Sequence, residues 1–484
     1  IETLKEYALI SEVEEKLLLS WRRPIVLLKS KKSLPKHISV GFKTVGAILP
    51  YMPFHYLLFE KLKTNAIVLT SANVAGEPII IENKIAREAF TTKTSAVITY
   101  NREIHNRADD SVMMVINKAP RLIRRSRGFV PAPIRLDYDV DGILAAGAEL
   151  VNTFCIGRLK QAILSQHIGD LKNAETLEFY EESIKRYQQL FKFNPTMVVS
   201  DLHPDYLSTK FAQSLGIKNI SVQHHHAHMA ACMAENNIDE KVIGIIMDGT
   251  GLGTDGNIWG GEFLEYHSKK IKRVSHFDYF DWLAGDKMSK EPRLSLVSLS
   301  RPEMKNLLEN KFESHELEIY QKLKLKNQLK TSSVGRLFDA VASLLGVCDL
   351  NTYEGEAAIL LENYIHDYDI NDCISYGSVL DNGIIPTKEL FHNLYLDFKK
   401  GTSKEKVIAN FFYTLASLVF QFAKKYQYKQ IAFSGGVFQN TTLIDMIKEI
   451  GEKEYKLYLN INLAPNDENI SFGQIMYYLK CSNK

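Results

Sequence analysis

Val242-Ile-Gly-Ile-Ile-Met-Asp-Gly-Thr-Gly-Leu-Gly-Thr-Asp-Gly-Asn-Ile-Trp-Gly-Gly-Glu-Phe263 is the stretch that decides the fold. It predicts a strand ending at Met247, a glycine-rich hairpin turn, and a second strand from Ile258. Glycines there let the backbone approach phosphate oxygens, with main-chain N–H groups as donors. The turn lacks the GKS/T of a Walker loop, and a glycine hairpin alone is more often structural. Asp248 favours a functional turn, because open α/β sheets expose functional side chains at the carboxyl ends of strands.

Four further motifs extend this pattern along the chain. Ser434-Gly-Gly-Val-Phe-Gln-Asn440 is a turn between a strand and a helix whose amino end favours an anion. Asp339 and Glu356, on predicted helices, are candidates for ribose or base contacts, and Asp467 lies in a late loop. Each alone would be an ordinary turn or a solvated carboxylate. Together with the hairpin they match the two-lobed nucleotide fold of actin, sugar kinases and Hsp70, in which ATP lies between the lobes.

A histidine cluster, Gln223-His-His-His-Ala-His228, precedes the hairpin at the predicted start of a helix. His224 and His228 are four residues apart, so they share a helix face and can bind one metal ion. The alternative, a helix start that caps and packs without metal, remains about equally open. His225 and His226 point to other faces and are predicted to contact substrate or backbone.

Size and composition limit the function classes. A chain of 484 residues is expected to form roughly two to four domains. The balance of 59 Lys+Arg against 57 Asp+Glu argues against an extended nucleic-acid surface. No apolar run reaches the roughly 18 residues that span a bilayer, and the charged start is unlike a signal peptide, which predicts a cytoplasmic location and no membrane partner. The five cysteines form no CxxC pair, so a zinc ribbon or disulfide framework is not expected.

The order of apolar runs predicts an α/β protein throughout. In the first block, the apolar runs Pro24–Lys29 and Ala66–Leu69 alternate with helical residues 54–62, and a basic, proline-rich segment predicts a boundary near residue 138. Beyond it, a helix is predicted at Ala174–Phe193 and a polar helical insertion at 287–330. The predicted strands are 143–149, 153–157, 161–168, 196–200, 243–247, 259–265, 430–433 and 456–460.

The motifs together resemble the HypF family of hydrogenase maturation carbamoyltransferases over nearly the whole chain. Those that carry the resemblance in the later part are Ser165-Gln-His-Ile-Gly-Asp170, Asp201-Leu-His-Pro-Asp-Tyr206, Gln223–His228, Asp248–Gly251, Trp259-Gly-Gly-Glu262, Tyr353-Glu-Gly-Glu-Ala357 and Ser434–Asn440. Those in the earlier part are Leu49-Pro-Tyr-Met-Pro53, Thr70-Ser-Ala-Asn-Val-Ala-Gly-Glu-Pro78 and Arg124-Arg-Ser-Arg-Gly128.

The resemblance implies two domains and a two-stage reaction. Residues 1–137 would be a YrdC-like adenylate-forming α/β domain, and residues 143–484 an actin/sugar-kinase/Hsp70-like (ASKHA) carbamoyltransferase domain in two lobes. Carbamate from carbamoyl phosphate would be joined to AMP from ATP, with Mg²⁺, to give carbamoyl adenylate. The second domain would transfer the carbamoyl group to the C-terminal cysteine of HypE, as precursor of the cyanide ligands of [NiFe] hydrogenase.

The resemblance also implies the site residues. His224, His228, Asp248 and Asp467 would hold one iron or zinc ion, and the first three of these would be catalytic. The implied nucleotide contacts are Gly249, Thr250, Gly251, Gly335, Asp339, Glu356, Gly435, Gly436 and Asn440, with Thr70, Ser71, Asn73 and Arg125 in the YrdC-like domain.

Two departures from the family pattern accompany the resemblance. The family's acylphosphatase and zinc-finger regions are missing from the sequence, which implies that carbamoyl phosphate is not hydrolysed on this chain. The first part of the YrdC-like domain is missing too, so we hypothesise a fragment or an amino-terminally truncated protein. Alternative functions are an O-carbamoyltransferase of small molecules, a tRNA threonylcarbamoyl transferase-like enzyme, and a non-catalytic partner-binding module that retains nucleotide.

Overall fold

The computed structural model describes residues 1–31, 38–39, 41–74 and 76–481. The chain divides into two compact units. The first contains Ile1–Val222 and Ile461–Leu479, and the second contains Gln223–Asn460 and the residues from Lys480 on. The domain boundary between residues 137 and 143 stays a prediction.

The first unit holds two sheets. The strands of the first sheet are β1 (Ile25–Lys29), β2 (Thr44–Ala47), β3 (Val112–Ile116) and β4 (Ala119–Arg124), in the order β2-β1-β3-β4. Those of the second are β5 (Ile134–Arg135), β6 (Ile143–Ala145), β7 (Cys155–Arg158), β8 (Gln161–Leu164), β9 (Met197–Asp201) and β10 (Lys218–Val222), in the order β10-β9-β6-β7-β8-β5.

Among the described residues before residue 223, the first unit has six helices. They are α1 (Glu2–Lys5), α2 (Glu12–Leu19), α3 (Pro53–Lys61), α4 (Asn83–Phe90), α5 (Ala174–Phe191) and α6 (Leu207–Ser214). The side chain of Asn173 accepts a hydrogen bond from Thr176 N and so begins α5, and Lys192 ends it in the left-handed conformation with φ +47°. The buried face of α5 packs on the second sheet, where Phe154 meets the rings of Tyr180 and Tyr187.

The second unit is built on one sheet. Its strands are β11 (Val242–Leu252), β12 (Ile258–His267), β13 (Lys270–His276), β14 (Phe280–Asp281), β15 (Lys330–Thr331), β16 (Gln430–Ser434) and β17 (Lys456–Leu459). The order is β14-β15-β12-β11-β16-β17, and β13 pairs with β12. β11, β12 and β13 are antiparallel, whereas β16 is parallel to β11 and β17 to β16.

The same strand order occurs in the second sheet of the first unit. There β6, β7 and β8 are antiparallel, β9 is parallel to β6, and β10 is parallel to β9. Each sheet therefore combines a three-stranded meander with two parallel strands added beside the first strand of the meander. The two sheets repeat one topology.

The helices around the sheet of the second unit include the predicted polar insertion. They are α7 (His224–Glu235), α8 (Lys287–Lys290), α9 (Pro292–Leu299), α10 (Lys305–Glu309), α11 (Ser314–Lys326), α12 (Val334–Leu344), α13 (Glu356–Tyr364), α14 (Thr387–Lys399), α15 (Lys404–Lys425) and α16 (Thr441–Gly451). The last helix of the chain is α17 (Ile470–Cys481), and 3-10 turns lie at Pro302–Met304, Ile370–Asp372, Gly436–Gln439 and Asp467–Asn469.

α15 is long and apolar enough to cross a membrane by length and composition. However, 83% of its most apolar window is buried inside the protein. Phe411 and Phe412 contact Phe338, and Phe422 contacts Phe263. α15 is thus placed as a core helix of the second unit.

The α/β prediction is confirmed, but several local predictions differ from the structure, including the strand predicted at 143–149, which ends at Ala145. Residues 66–69 form no strand; Val68 is 70% exposed, and the described residues provide this run with no ladder partner. β8 ends at Leu164 rather than at residue 168, and α5 ends two residues before the predicted Phe193. A run of apolar residues indicates side chains that favour burial. It does not show whether a neighbouring strand is available to pair with that run.

Candidate metal centre and nucleotide site

Gln223 sets the start of the histidine helix α7. Its side-chain oxygen accepts a hydrogen bond from His226 N at 2.9 Å, which caps the helix. Its side-chain nitrogen lies 3.0 Å from His225 Nδ1 and donates to the carbonyl of Leu252 at 3.1 Å. One side chain therefore caps α7, orients an imidazole and fixes both against the end of β11.

His224, His228 and Asp248 form a buried cluster. The two Nε2 atoms lie 3.4 and 3.5 Å from the same oxygen, Asp248 Oδ2, and all three ligand atoms are within 4.8 Å of one another. Two imidazole nitrogens and a carboxylate oxygen are a donor set that suits zinc or iron. Asp467, the fourth predicted ligand, belongs to the first unit, where it begins a 3-10 turn. Its place in the ligand set stays a prediction.

The charge state of the cluster follows from its surroundings. Burial alone would raise the pKa of Asp248, but hydrogen bonds and charge from His224 and His228 outweigh it and hold the pKa well below its usual range. The other carboxylate oxygen, Oδ1, accepts a hydrogen bond from Gly436 N at 3.0 Å. Asp248 is therefore an oriented carboxylate anion.

His225 and His226 lie beside the cluster on α7, and the expectation that they contact substrate or backbone stays a prediction. His225 is fully buried, with its ring 5.3 Å from that of His224 and 6.1 Å from that of Trp259. Burial, reinforced by His224, holds the pKa of His225 well below its ordinary value, and burial lowers the pKa of His226 to about 4. Both rings are therefore neutral at neutral pH, and the His225 ring packs beside that of His224.

The predicted hairpin turn is present between β11 and β12, at residues 253–257, but the strand before it does not end at Met247. β11 continues to Leu252, and its pairing with β12 shifts register between Met247 and Gly251. Asp248, Gly249 and Thr250 thus leave the regular ladder without ending the strand. Glycines in a strand are common both in turns and in bulges, so the glycine-rich sequence did not show which of the two begins after Met247.

The amino end of α12 is seated on this bulge. The hydroxyl of Ser333 donates to the carbonyls of Asp248 and Gly249, at 3.0 and 2.7 Å. Gly335 packs so closely that a Cβ atom there would lie 2.9 Å from Gly249 Cα. The structure therefore brings Gly335 against Gly249 in the bulge, while the roles of Gly249, Thr250, Gly251 and Gly335 as nucleotide contacts stay predictions.

The turn at residues 434–440 also reaches the bulge. Gly435 has φ +104°, and a Cβ atom would lie 2.3 Å from the carbonyl oxygen of Met247. Only glycine fits at this position. Asn440 caps α16 through Leu443 N, and its buried Nδ2 has no hydrogen-bond partner among the described residues.

The amino end of α16 already carries an anion from the protein. The partly buried carboxylate of Glu362 accepts hydrogen bonds from the backbone N–H groups of Thr441 and Thr442, at 2.8 and 3.0 Å, and from the Thr441 hydroxyl. Burial raises the pKa of Glu362, and these hydrogen bonds partly oppose that rise. The sequence pattern indicated a helix end that favours an anion but did not reveal Glu362, which lies 79 residues away from Thr441.

The predicted ribose or base contacts Asp339 and Glu356 stay predictions. Asp339 is 3% exposed, and burial raises its pKa to about 6 against the lowering effect of Arg336. Glu356 is the first residue of α13, and its carboxylate accepts hydrogen bonds from the N–H and hydroxyl groups of Thr352. Arg336 was not selected from the sequence, although it directly follows the selected Gly335.

The predicted nucleotide contacts of the first unit lie in two places. Ser71 donates to Asn73 Oδ1 at 2.6 Å, and Asn73 donates to the carbonyls of Val74 and Glu77. Thr70 and Ser71 are exposed. Ala75, within the same motif, lies outside the described residues. The roles of Thr70, Ser71 and Asn73 stay predictions.

Arg125 is buried and holds the chain that follows it. Its Nη2 donates to the carbonyls of Phe129 and Ala132, both at 3.1 Å, and its backbone N–H donates to Glu468 at 2.7 Å. The same carboxylate lies 2.9 Å from His167 Nδ1. These contacts give Arg125 a structural role, and its role as a nucleotide contact stays a prediction.

Comparison with known proteins identifies the family. Three family models match the chain. Residues 1–126 match the Sua5/YciO/YrdC model, whose description is "Telomere recombination". Residues 139–235 match the model "HypF Kae1-like domain", and residues 244–474 match the model "Carbamoyltransferase, Kae1-like Domain, second subdomain". A carbamoyltransferase HypF homolog of Cupriavidus necator is 32% identical over 69% of this chain and 90% of its own length. The chain belongs to the HypF carbamoyltransferase family. Carbamoyltransferase HypF of Rhizobium leguminosarum bv. viciae is 34% identical over 99% of this chain, which spans 64% of that relative.

The HypF family also accounts for the fold. A solved full-length HypF in its phosphate- and nucleotide-bound form is 40% identical, with a TM-score of 0.93 over 99% of this chain and 77% of that one. The predicted fold class, a YrdC-like α/β domain followed by an ASKHA-like domain, is confirmed. Within the HypF family, the second unit of this chain carries the histidine cluster and the glycine bulge side by side.

Proposed function

We propose that this chain is an ATP-dependent carbamoyltransferase of [NiFe] hydrogenase maturation. Carbamate, which carbamoyl phosphate yields on losing phosphate, is joined to AMP from ATP with Mg²⁺, and pyrophosphate leaves. The carbamoyl group of the resulting carbamoyl adenylate then passes to the C-terminal cysteine thiol of HypE in the cytoplasm. The observation that carries the proposal is the buried cluster of His224, His228 and Asp248 beside the bulge of β11. Membership of the HypF family supports the reaction class.

The cluster fits a metal ion by its donor chemistry. An iron or zinc ion held by these side chains, with Asp467 as a fourth ligand, would supply a Lewis acid for the carbamoyl oxygen. The protein keeps the ligands in place: Gly436 N orients Asp248, and the spacing of α7 directs both imidazoles to one carboxylate oxygen. All three side chains are buried, which limits the access of water to the ligand atoms.

The bulge of β11 binds the nucleotide part of the substrate. Gly249 and Gly251 have no side chains, so phosphate oxygens approach the backbone N–H groups, as glycine-rich loops allow. The thiolate of HypE then bonds to the carbamoyl carbon, the bond from that carbon to the phosphate oxygen breaks, and AMP leaves with the electron pair.

The decisive experiment supplies synthetic carbamoyl adenylate together with HypE, a small hydroxyl acceptor or tRNA. Mass spectrometry then shows which acceptor gains the carbamoyl group. Transfer to HypE alone is expected. Transfer to the hydroxyl acceptor or to tRNA would support the corresponding alternative enzyme, and no transfer would support a non-catalytic module.

The metal assignment has its own control. His224→Ala with His228→Ala is expected to abolish both bound metal, measured by elemental analysis, and transfer to HypE. His315→Ala, an exposed histidine on α11, is expected to change neither. Transfer that survives the double substitution would refute the metal centre. Exchange of labelled pyrophosphate into ATP in the presence of carbamate tests adenylate formation separately.

A further inference from the structure

Arg336 lies buried over the open face of Gly249. Ser333 accepts a hydrogen bond from Arg336 N at 3.1 Å while its hydroxyl bonds to the carbonyls of the bulge, so the first turn of α12 is fixed on β11. A Cβ atom placed on Gly249 would lie 3.9 Å from Arg336 Nη2, which is the one heavy atom of the described residues within 4 Å, excluding the chain neighbours of Gly249. The guanidinium group therefore borders a space that the glycine leaves free.

The hydrogen-bonding capacity of Arg336 is only partly used. Arg336 is 9% exposed, and its Nε lies 3.1 Å from Asp339 Oδ2. This distance makes an ion pair, but the geometry makes no hydrogen bond, and neither Nε nor Nη1 has a hydrogen-bond partner among the described residues. A guanidinium group has five N–H donors, and buried donors are nearly always satisfied. Unused donors on a buried cation indicate a site for an anion that is planar or multidentate.

The spacing along α12 fits one nucleotide. Arg336 and Asp339 are three residues apart and share a face of the helix. Asp339 is a predicted contact of the ribose hydroxyls, and Gly249 a predicted contact of the phosphate. A Cβ atom on Gly249 would lie 3.9 Å from Arg336 Nη2. A phosphate oxygen placed about 1 Å closer than that position would be at hydrogen-bond distance from Nη2.

We propose that Arg336 binds the phosphoryl group of the adenylate and stabilises the charge on the departing AMP. The identity of the ligand rests on the proposed function. As the sulfur–carbon bond forms and the carbon–oxygen bond breaks, the negative charge of the thiolate is transferred to the phosphate of AMP. A guanidinium group already in place binds this dianion more strongly than the ester monoanion, so it favours departure of AMP.

The test compares AMP with adenosine by isothermal titration calorimetry. Wild-type protein is expected to bind AMP at least ~10-fold more tightly than adenosine. Arg336→Gln is expected to remove that preference while leaving adenosine affinity unchanged, and Arg336→Lys to restore part of it. Arg293→Gln is the matched control, because Arg293 is paired with Glu291 and Glu316 and lies in the polar insertion.

A second comparison separates binding from folding. Arg336→Gln leaves the buried Asp339 without its ion-pair partner, so the variant Arg336→Gln/Asp339→Asn, which carries neither charge, is compared with Asp339→Asn alone. A lower ratio of AMP to adenosine affinity in the double variant supports the proposal, and equal ratios overturn it. Equal affinity of wild-type protein for AMP and adenosine also overturns it. Failure of wild-type protein to transfer the carbamoyl group would instead refute the proposed function.

Discussion

Replacing Gly251 with alanine would press directly on the histidine cluster. A Cβ atom at this position would lie 2.5 Å from His225 Cε1 and 3.1 Å from both Cβ and Cδ2 of His224. Gly251 has no positive φ, so the substitution tests space and not backbone strain. Because Gln223 holds His225 to Leu252, the imidazole cannot turn away without breaking that contact.

The size of the effect follows from the distances. An ordinary carbon–carbon contact is about 3.5–4.0 Å, so the ring or the strand must move by about 1 Å. Metal–ligand distances in a well-formed site vary by only about 0.2 Å. Substitutions of residues that orient metal ligands typically lower metal affinity by about 10–100-fold. This factor corresponds to about 1.4–2.8 kcal/mol of binding free energy. We therefore expect Gly251→Ala to weaken metal binding by this factor.

Competition with a chromophoric chelator measures the effect, using Zn²⁺ and anaerobic Fe²⁺ in turn. Gly256→Ala is the control, because Gly256 lies in the same hairpin and a Cβ atom there has no neighbour within 4 Å. Its φ of +78° costs stability alone, about 1 kcal/mol. Should Gly251→Ala fold and bind metal as tightly as Gly256→Ala, the link between the hairpin and the histidines would be refuted.

Three further predictions concern stability, each measured by urea or thermal unfolding of the full chain. Gly435→Ala is expected to cost roughly 2–4 kcal/mol, because its Cβ would meet the Met247 carbonyl at 2.3 Å and φ is +104°; a loss below that of an exposed glycine would contradict the contact. In the folded protein the pKa of Asp339 is about 6, above its ordinary value of 3.8. As pH rises, the unfolded chain therefore loses this proton before the folded protein does. The free energy of unfolding should fall by about 3 kcal/mol between about pH 4 and about pH 6. Asp339→Asn should remove this slope, and an unchanged slope would count against the assignment. Glu362→Ala should cost about 1–2 kcal/mol by leaving the Thr441 and Thr442 N–H groups of α16 without their acceptor, whereas Glu362→Gln keeps an acceptor and should cost less.

Local sequence patterns predicted the histidine helix well. A short apolar strand followed by good helix formers predicts that the histidines lie in the first turns of a helix, and four-residue spacing places His224 and His228 on one face. These features depend on neighbours within one helical turn. The contact of both imidazoles with Asp248 Oδ2 was expected only through the family resemblance, because it joins residues on separate elements.

Features that depend on distant residues were not predicted. The bulge at Asp248 requires the register of β12, and the cap on α16 requires Glu362 from another helix. Arg336 is unremarkable in sequence, since only burial and its unused donors distinguish it. The two sheets share one strand order, but their sequences show no internal repeat. Different side chains can form the same strand order, so this repeat could not be read from the sequence.

The burial of α15 has a consequence for protein synthesis. Translation makes this 22-residue helix before α16, which packs against it, so the nascent chain presents an apolar surface until Gly451 has emerged. Gly451 packs directly against α15, since a Cβ atom there would lie 2.1 Å from the ring of Phe420. Products that stop between Lys425 and Gly451 should therefore aggregate or recruit chaperones, whereas chains extended past α16 can cover the helix.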